Sequence, residues 1–398
     1  MAIDKNKPES IMQLIDAAEV IKVARDLIRI PSPNPPGNEA KVAEYIVSFM
    51  NSKGIKTHIQ KVLPDRYNVV ARLTGQGYSA PLLFSSHMDV VPVSSYEAKR
   101  WWCDPFGGEV LNGFLYGRGA ADAKGGLAAV MVAMGTLADH RVQPPGDIIL
   151  AATVDEENLM RGAKALVNSS LISGVSRVIC CEPTNLEVQV SCKGRMWAEI
   201  TVFGQTAHAS VRGAGINAIH RALKLMSKIE NYELSHHRHP DLGESFWQTT
   251  MIQGGVERGI IPDHCTLNVD VRLVPGQTPD DIWKEMEGIF AAIRQEIPDF
   301  NAGISELERR EPWEICRDDQ IVRALANSCQ MLKIPLVFSG YIGTAECTIY
   351  RRAGVEGTIF GPGILDNNAY KENEKVSLEQ LVQASKVYAA TMLKWEFD

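Results

Sequence analysis

The sequence predicts an α/β protein: a mainly parallel, helix-covered sheet, with a small α+β module inserted in the chain. Three observations predict it. Apolar, β-prone runs at 67–73, 81–86, 147–154 and 177–181 alternate with helical patterns, as crossover helices over a sheet require. The texture changes near residue 192, where strand-like stretches begin to alternate polar and apolar side chains. At 398 residues the chain is also too long for one ordinary core.

The elements follow in order. Residues 9–29 read as a helix ending before Pro31-Ser32-Pro33. A second helix follows Gly37-Asn38-Glu39, with Val42, Tyr45, Ile46, Phe49 and Met50 at helical spacing and Gly54 as its stop. After the strands at 67–73 and 81–86 come a helix at 125–138, a strand at 147–154, a helix at about 161–169 and a strand at 177–181. Strand 195–204, helix 215–230, strands 248–254 and 264–273 and helix 278–296 then give a β-α-β-β-α order, a small module with one open sheet face. After Pro312 the pattern returns to helix 318–331, strands near 334–338 and 357–360, and a last helix from about 377. The expected domains are 1–191 and 312–398 as two parts of one catalytic domain, with 192–311 inserted.

Composition narrows the function. The apolar fraction is 45%, the charged fraction 22% and the net charge -7, so no nucleic-acid-binding surface is expected. The densest basic patch, His236-His237-Arg238-His239, is short and reads as a loop. No apolar run approaches a membrane span, and Met1-Ala2-Ile3-Asp4 opens no signal peptide, so a cytoplasmic protein is expected. None of the eight cysteines forms a CxxC pair; buried reduced thiols are the expectation.

The acids carry the chemistry. His87 and Asp89 follow the run Leu82-Leu83-Phe84 and share a face of an extended chain. Asp122 sits among Gly117, Gly119, Gly125 and Gly126, a loop able to approach an ion; as a helix N-cap it would be purely structural. Asp155-Glu156-Glu157 ends an apolar run and reads either as a solvated turn or as acids aimed into a sheet crevice. Glu182 has the same placement, with Pro183 stopping its strand. Carboxylates gathered in one crevice repel strongly, and a divalent cation is the simplest remedy.

Together these motifs resemble the M20 metallopeptidase family, a group of deacetylases, desuccinylases, aminoacylases and carboxypeptidases. The likeness extends to Pro36-Gly37-Asn38-Glu39, Gly204-Gln205-Thr206-Ala207-His208-Ala209-Ser210, Gly215-Ile216-Asn217-Ala218, Gly254-Gly255, Ile261-Pro262-Asp263, Asp270-Val271-Arg272 and Phe360-Gly361-Pro362-Gly363. It implies a zinc-peptidase-like catalytic domain with an inserted lid and dimerisation domain, and a homodimer. His87, Asp122 and Glu182 would hold one metal, and Asp122 would bridge to a second held by Glu157. Glu156 would be the general base and Asp89 the partner of His87, with a cis peptide after Asp122. His208 would polarise the scissile carbonyl across the dimer, Asn217 and Arg272 would hold a substrate carboxylate, and Gly361 and Gly363 would form the substrate-side loop.

Two positions depart from the pattern. Tyr370 stands where the second metal's last histidine ligand is expected, and no histidine follows His264. A phenol of ordinary pKa about 10 is a poor ligand, so the second site is weakened, rebuilt or empty. Ala345-Glu346-Cys347 replaces Thr-Asp-Ala, and Glu346 is long enough to reach into the site as a substitute. The implied activity is hydrolysis of the amide of a small N-acyl amino acid bearing a carboxylate, with one or two Zn²⁺, or Mn²⁺ or Co²⁺. The alternatives are a dipeptidase or carboxypeptidase, hydrolysis of a ureido, carbamoyl or aryl-amine C–N bond, and an inactive binding module, against which Glu156 argues. No nucleic-acid or membrane partner is expected.

Overall fold

A computed structural model describes residues 8–235 and 238–395. The terminal segment Met1–Lys7 and the His236–His237 part of the basic patch lie outside them. The chain divides into two compact units. The first comprises residues up to Val190, Ile315–Tyr341 and everything from Ala345 onward; the second comprises Ser191–Glu314 with Ile342–Thr344.

In the first unit the sheet runs in the order Lys56–Leu63, Arg66–Leu73, Ile148–Thr153, Leu82–His87, Arg177–Cys180, Glu356–Ile359 and Val188–Cys192, and Phe338–Tyr341 also pairs with Val188–Cys192. Its centre is parallel: Leu82–His87 lies between Ile148–Thr153 and Arg177–Cys180, which pairs in turn with Glu356–Ile359. The flanks are antiparallel. Every residue of Leu82–His87 and Ile148–Thr153 is buried, which is why their apolar stretches Leu82-Leu83-Phe84 and Ile148–Ala152 show no alternation. The helix Lys124–Asp139 is buried along nearly its whole length and packs against Ala17–Ile28 and Leu378–Lys394. Gly126 permits this: a Cβ there would stand 2.4 Å from the Cys181 carbonyl oxygen.

Several boundaries move from the sequence reading. The expected helix 9–29 is two helices, Pro8–Met12 and Ala17–Ile28, because Asp16 caps the second by accepting from Ala18 N. The strand expected at 334–338 is Phe338–Tyr341, since Pro335 cannot join the ladder as a donor. Lys56–Leu63 is an edge strand that sequence reading passed over.

The second unit has a four-stranded antiparallel sheet in the order Phe246–Gly254, His264–Leu273, Gly194–Phe203, Asn301–Arg310. Helices Ala218–Glu230 and Pro279–Glu296 share its core, with Ile200, Leu267, Leu225 and Phe290 among the buried side chains. The last strand was not expected, so the module is β-α-β-β-α-β. Pro279–Glu296 opens with a full capping box between Thr278 and Asp281. No disulfide forms, and six of the cysteines are buried. Among the described residues no helix is long and apolar enough to cross a membrane.

Candidate metal centre

Parallel strands put their C-terminal ends at one edge of a sheet, and the acids expected from the sequence sit there. His87 ends its strand; Asp155-Glu156-Glu157 follow Ile148–Thr153 closely; Glu182 follows Arg177–Cys180. Met88 N donates to Thr153 O at 2.9 Å and Cys181 N to Ser85 O at 2.8 Å, so the ladder continues past the strands and fixes these ends together. Asp122 arrives from the glycine loop, and its peptide to Ala123 is cis.

His87, Asp122 and Glu182 each offer a ligand atom, and these atoms all lie within 4.8 Å of one another. All three residues are buried. His87 Nε2 is 3.0 Å from Asp122 Oδ1 and 3.7 Å from Glu182 Oε2. Burial pushes the Glu182 carboxyl up to about 8; His87 opposes this, and Asp122 and Glu156 add to it. His87 itself is held well above its ordinary value: burial acts to lower it, but Glu182 and Asp122 outweigh burial. One imidazole and two carboxylates in a site that favours positive charge suit a divalent cation.

Asp89 meets His87 with both its backbone and its carboxylate. His87 Nδ1 lies 2.9 Å from the backbone oxygen of Asp89, while the Asp89 carboxylate is 3.7 Å away. The nearer anchor of the imidazole is therefore the carbonyl, with the carboxylate behind it. The carboxylate also accepts from Glu156 N and Glu157 N, each at 3.2 Å, and from Asn34 Nδ2 at 2.8 Å. It fixes the backbone of the two glutamates. Asn34 also donates to Asp155 Oδ1 at 3.1 Å, and Arg66 joins Asp155 at 3.1 Å to Glu39. Asp155 is thereby a structural acid, holding a left-handed backbone at φ 68°.

Glu374 performs the same service for Asp122. Its Oε1 accepts from Gly119 N and Ala121 N at 3.0 Å and from Asp122 N at 3.2 Å. Its Oε2 accepts from Arg118 Nη1 at 2.7 Å. Sequence reading named none of Asn34, Arg66 or Glu374 for these roles. The only signal was that Asn34 and Glu374 sit inside or beside motifs already singled out.

Glu156 is buried and lies outside the three-residue cluster. Glu157 accepts a hydrogen bond from the Tyr370 hydroxyl. Glu346 does not join the cluster. Its carboxylate accepts from Ser85 Oγ at 2.7 Å, and Ser85 also lies 2.9 Å from the Tyr350 hydroxyl. Gly361 and Gly363 hold their loop against the segment after Glu182: Gly361 O accepts from Leu186 N at 3.0 Å and Gly363 O from Asn185 N at 2.6 Å.

The profile of peptidase family M20/M25/M40 matches residues 83–394. The chain belongs to the M20 peptidase family. It is 32% identical to the acetylornithine deacetylase of Myxococcus xanthus, covering 90% of this chain and 91% of that one. It is 28% identical to a probable succinyl-diaminopimelate desuccinylase of Staphylococcus aureus, over 88% and 93%. Human carnosine dipeptidase 1 shares the fold at a TM-score of 0.78 and 17% identity, over 97% and 98%. This M20 chain is accordingly a hydrolase acting on C–N bonds.

The remaining expected residues of the M20 chain lie in the second unit. His208 is exposed; its Nδ1 accepts from Ser210 N at 3.2 Å, which leaves the ring proton on Nε2. Asn217 caps the helix Ala218–Glu230, its side chain accepting from His220 N at 3.2 Å. Arg272 forms a fork with Asp270 at 2.6 and 3.1 Å.

Proposed function

We propose that this chain removes the acyl group from a small N-acylated amino acid that carries a free carboxylate. The observation that carries the reading is the buried cluster of His87, Asp122 and Glu182 with Glu156 held beside it through Asp89. The deacetylase and desuccinylase relatives support the substrate class. His87, Asp122 and Glu182 would hold a divalent cation, Zn²⁺ by their mixed donors, with Mn²⁺ and Co²⁺ as alternatives. When bound, it supplies Lewis acidity toward the acyl carbonyl and toward water.

Glu156 takes the proton from the attacking water and returns it to the leaving nitrogen. The backbone bond from Glu156 to Asp89 fixes where that carboxylate can swing. His208, with its proton on Nε2, suits donation to a developing oxyanion, and Arg272 suits a planar carboxylate once its fork turns from Asp270.

The test is turnover of N-acetyl and N-succinyl amino acids against a dipeptide panel, with added metal. Acylated amino acids are expected to be preferred. Glu156→Gln is expected to lower kcat by roughly 10²–10⁴-fold with metal content unchanged. Equal background rates in wild type and variant on every substrate would sink the reading; a dipeptide preference would replace the substrate class and keep the chemistry.

A further inference from the structure

The short segment after the Phe360-Gly361-Pro362-Gly363 loop does two things at once. Glu374 clamps the Asp122 loop, and Tyr370 reaches Glu157. Tyr370 occupies the position at which the family resemblance places the last ligand of a second cation. We propose that this chain holds a single cation, at His87, Asp122 and Glu182, and that Tyr370 takes the place of the second by pairing with Glu157. The proposal rests on the metal-centre reading above and adds the number of ions.

Three observations carry it. First, among the described residues the grouping able to hold an ion is His87, Asp122 and Glu182; Glu157 is not part of it. Second, the Tyr370 hydroxyl points its proton at one Glu157 oxygen, and a cation between the two residues would have to expel that proton. Of the ligands that the family resemblance gives a second ion, this leaves Glu157 Oε1, which has no hydrogen-bond partner, and one oxygen of Asp122. Two oxygens fall short of the three protein ligands that catalytic zinc sites use.

Third, no other imidazole in the first unit can step in. His140 caps the C-terminal end of Lys124–Asp139, whose other end begins beside Asp122, so the helix length of about 24 Å separates them. His58 lies on the edge strand, three strands from Leu82–His87 and so about 14 Å across the sheet.

The experiment is metal stoichiometry. Chains are loaded with excess Zn²⁺, dialysed, and assayed for zinc per chain by plasma mass spectrometry. Wild type is expected to retain one equivalent, Tyr370→Phe one, Tyr370→His two and His87→Ala none. The Tyr370 backbone is left-handed at φ 65°, a region histidine tolerates better than most residues, so Tyr370→His should fold; circular dichroism checks that it has. Two equivalents in wild type, or one in folded Tyr370→His, overturns the proposal and leaves the hydrolase reading standing. No retained metal in wild type with Zn²⁺, Mn²⁺ or Co²⁺ overturns both.

Discussion

At the scale of single residues, Glu346 shows how burial sets a titration. Burial raises its carboxyl from the ordinary 4.5 to about 7, while Ser85 works the other way by donating to it. A group whose folded value is raised contributes stability that is complete below its unfolded value of about 4.3 and is lost as pH rises through the folded one. Metal-free wild type should therefore lose about 2–3 kcal/mol between roughly pH 4.5 and 8 from this group alone. Glu346→Gln keeps a polar partner for Ser85 without the ionisation. Its denaturant midpoint should overtake that of wild type above pH 7, and parallel pH profiles for the two proteins would refute the assignment. The sequence placed an acid at 346 and suggested that it reached the site; it could not show that Ser85 and Tyr350 would claim that acid first.

At the scale of elements, the core strands were legible because burial on both faces leaves apolar stretches without alternation, Leu82-Leu83-Phe84 and Ile148–Ala152. Lys56–Leu63 and Asn301–Arg310 were not. Both lie at sheet edges, leave many side chains partly in solvent and carry charges that mask their period. Close contacts between elements were equally hidden. Gly126 reads only as one of the glycines around Asp122 where the helix expected at 125–138 begins, yet it lets the start of that buried helix rest on the strand end that presents Glu182. In Gly126→Ala the new methyl meets rigid backbone, so a loss of about 1–3 kcal/mol is expected in thermal melts. Metal retention should fall with it, because helix start and strand end carry two of the three candidate ligands. An unchanged melting temperature would show that the contact relaxes freely.

At the scale of the molecule, the candidate site was half legible. A parallel sheet brings its strand ends together, so acids far apart in sequence could be expected to meet. The network that aims them could not be read. Asn34 reaches Asp89 across 55 residues and Glu374 reaches the Asp122 loop across 252, and neither link leaves a periodic trace. The second unit offers its own test. His208 is expected to act on the carbonyl and not on the ion, so His208→Ala should lower kcat strongly while zinc per chain stays at the wild-type value. A parallel fall in both would remove that role.

Tyrosine and histidine codons differ only in their first base. Since Glu374 secures the Asp122 loop independently of what stands at 370, a single nucleotide change could interconvert a one-ion and a two-ion enzyme without dismantling the scaffold. Ion number in such a lineage would then drift as readily as any point substitution, and a laboratory selection in zinc-rich medium starting from this gene would have only one step to take.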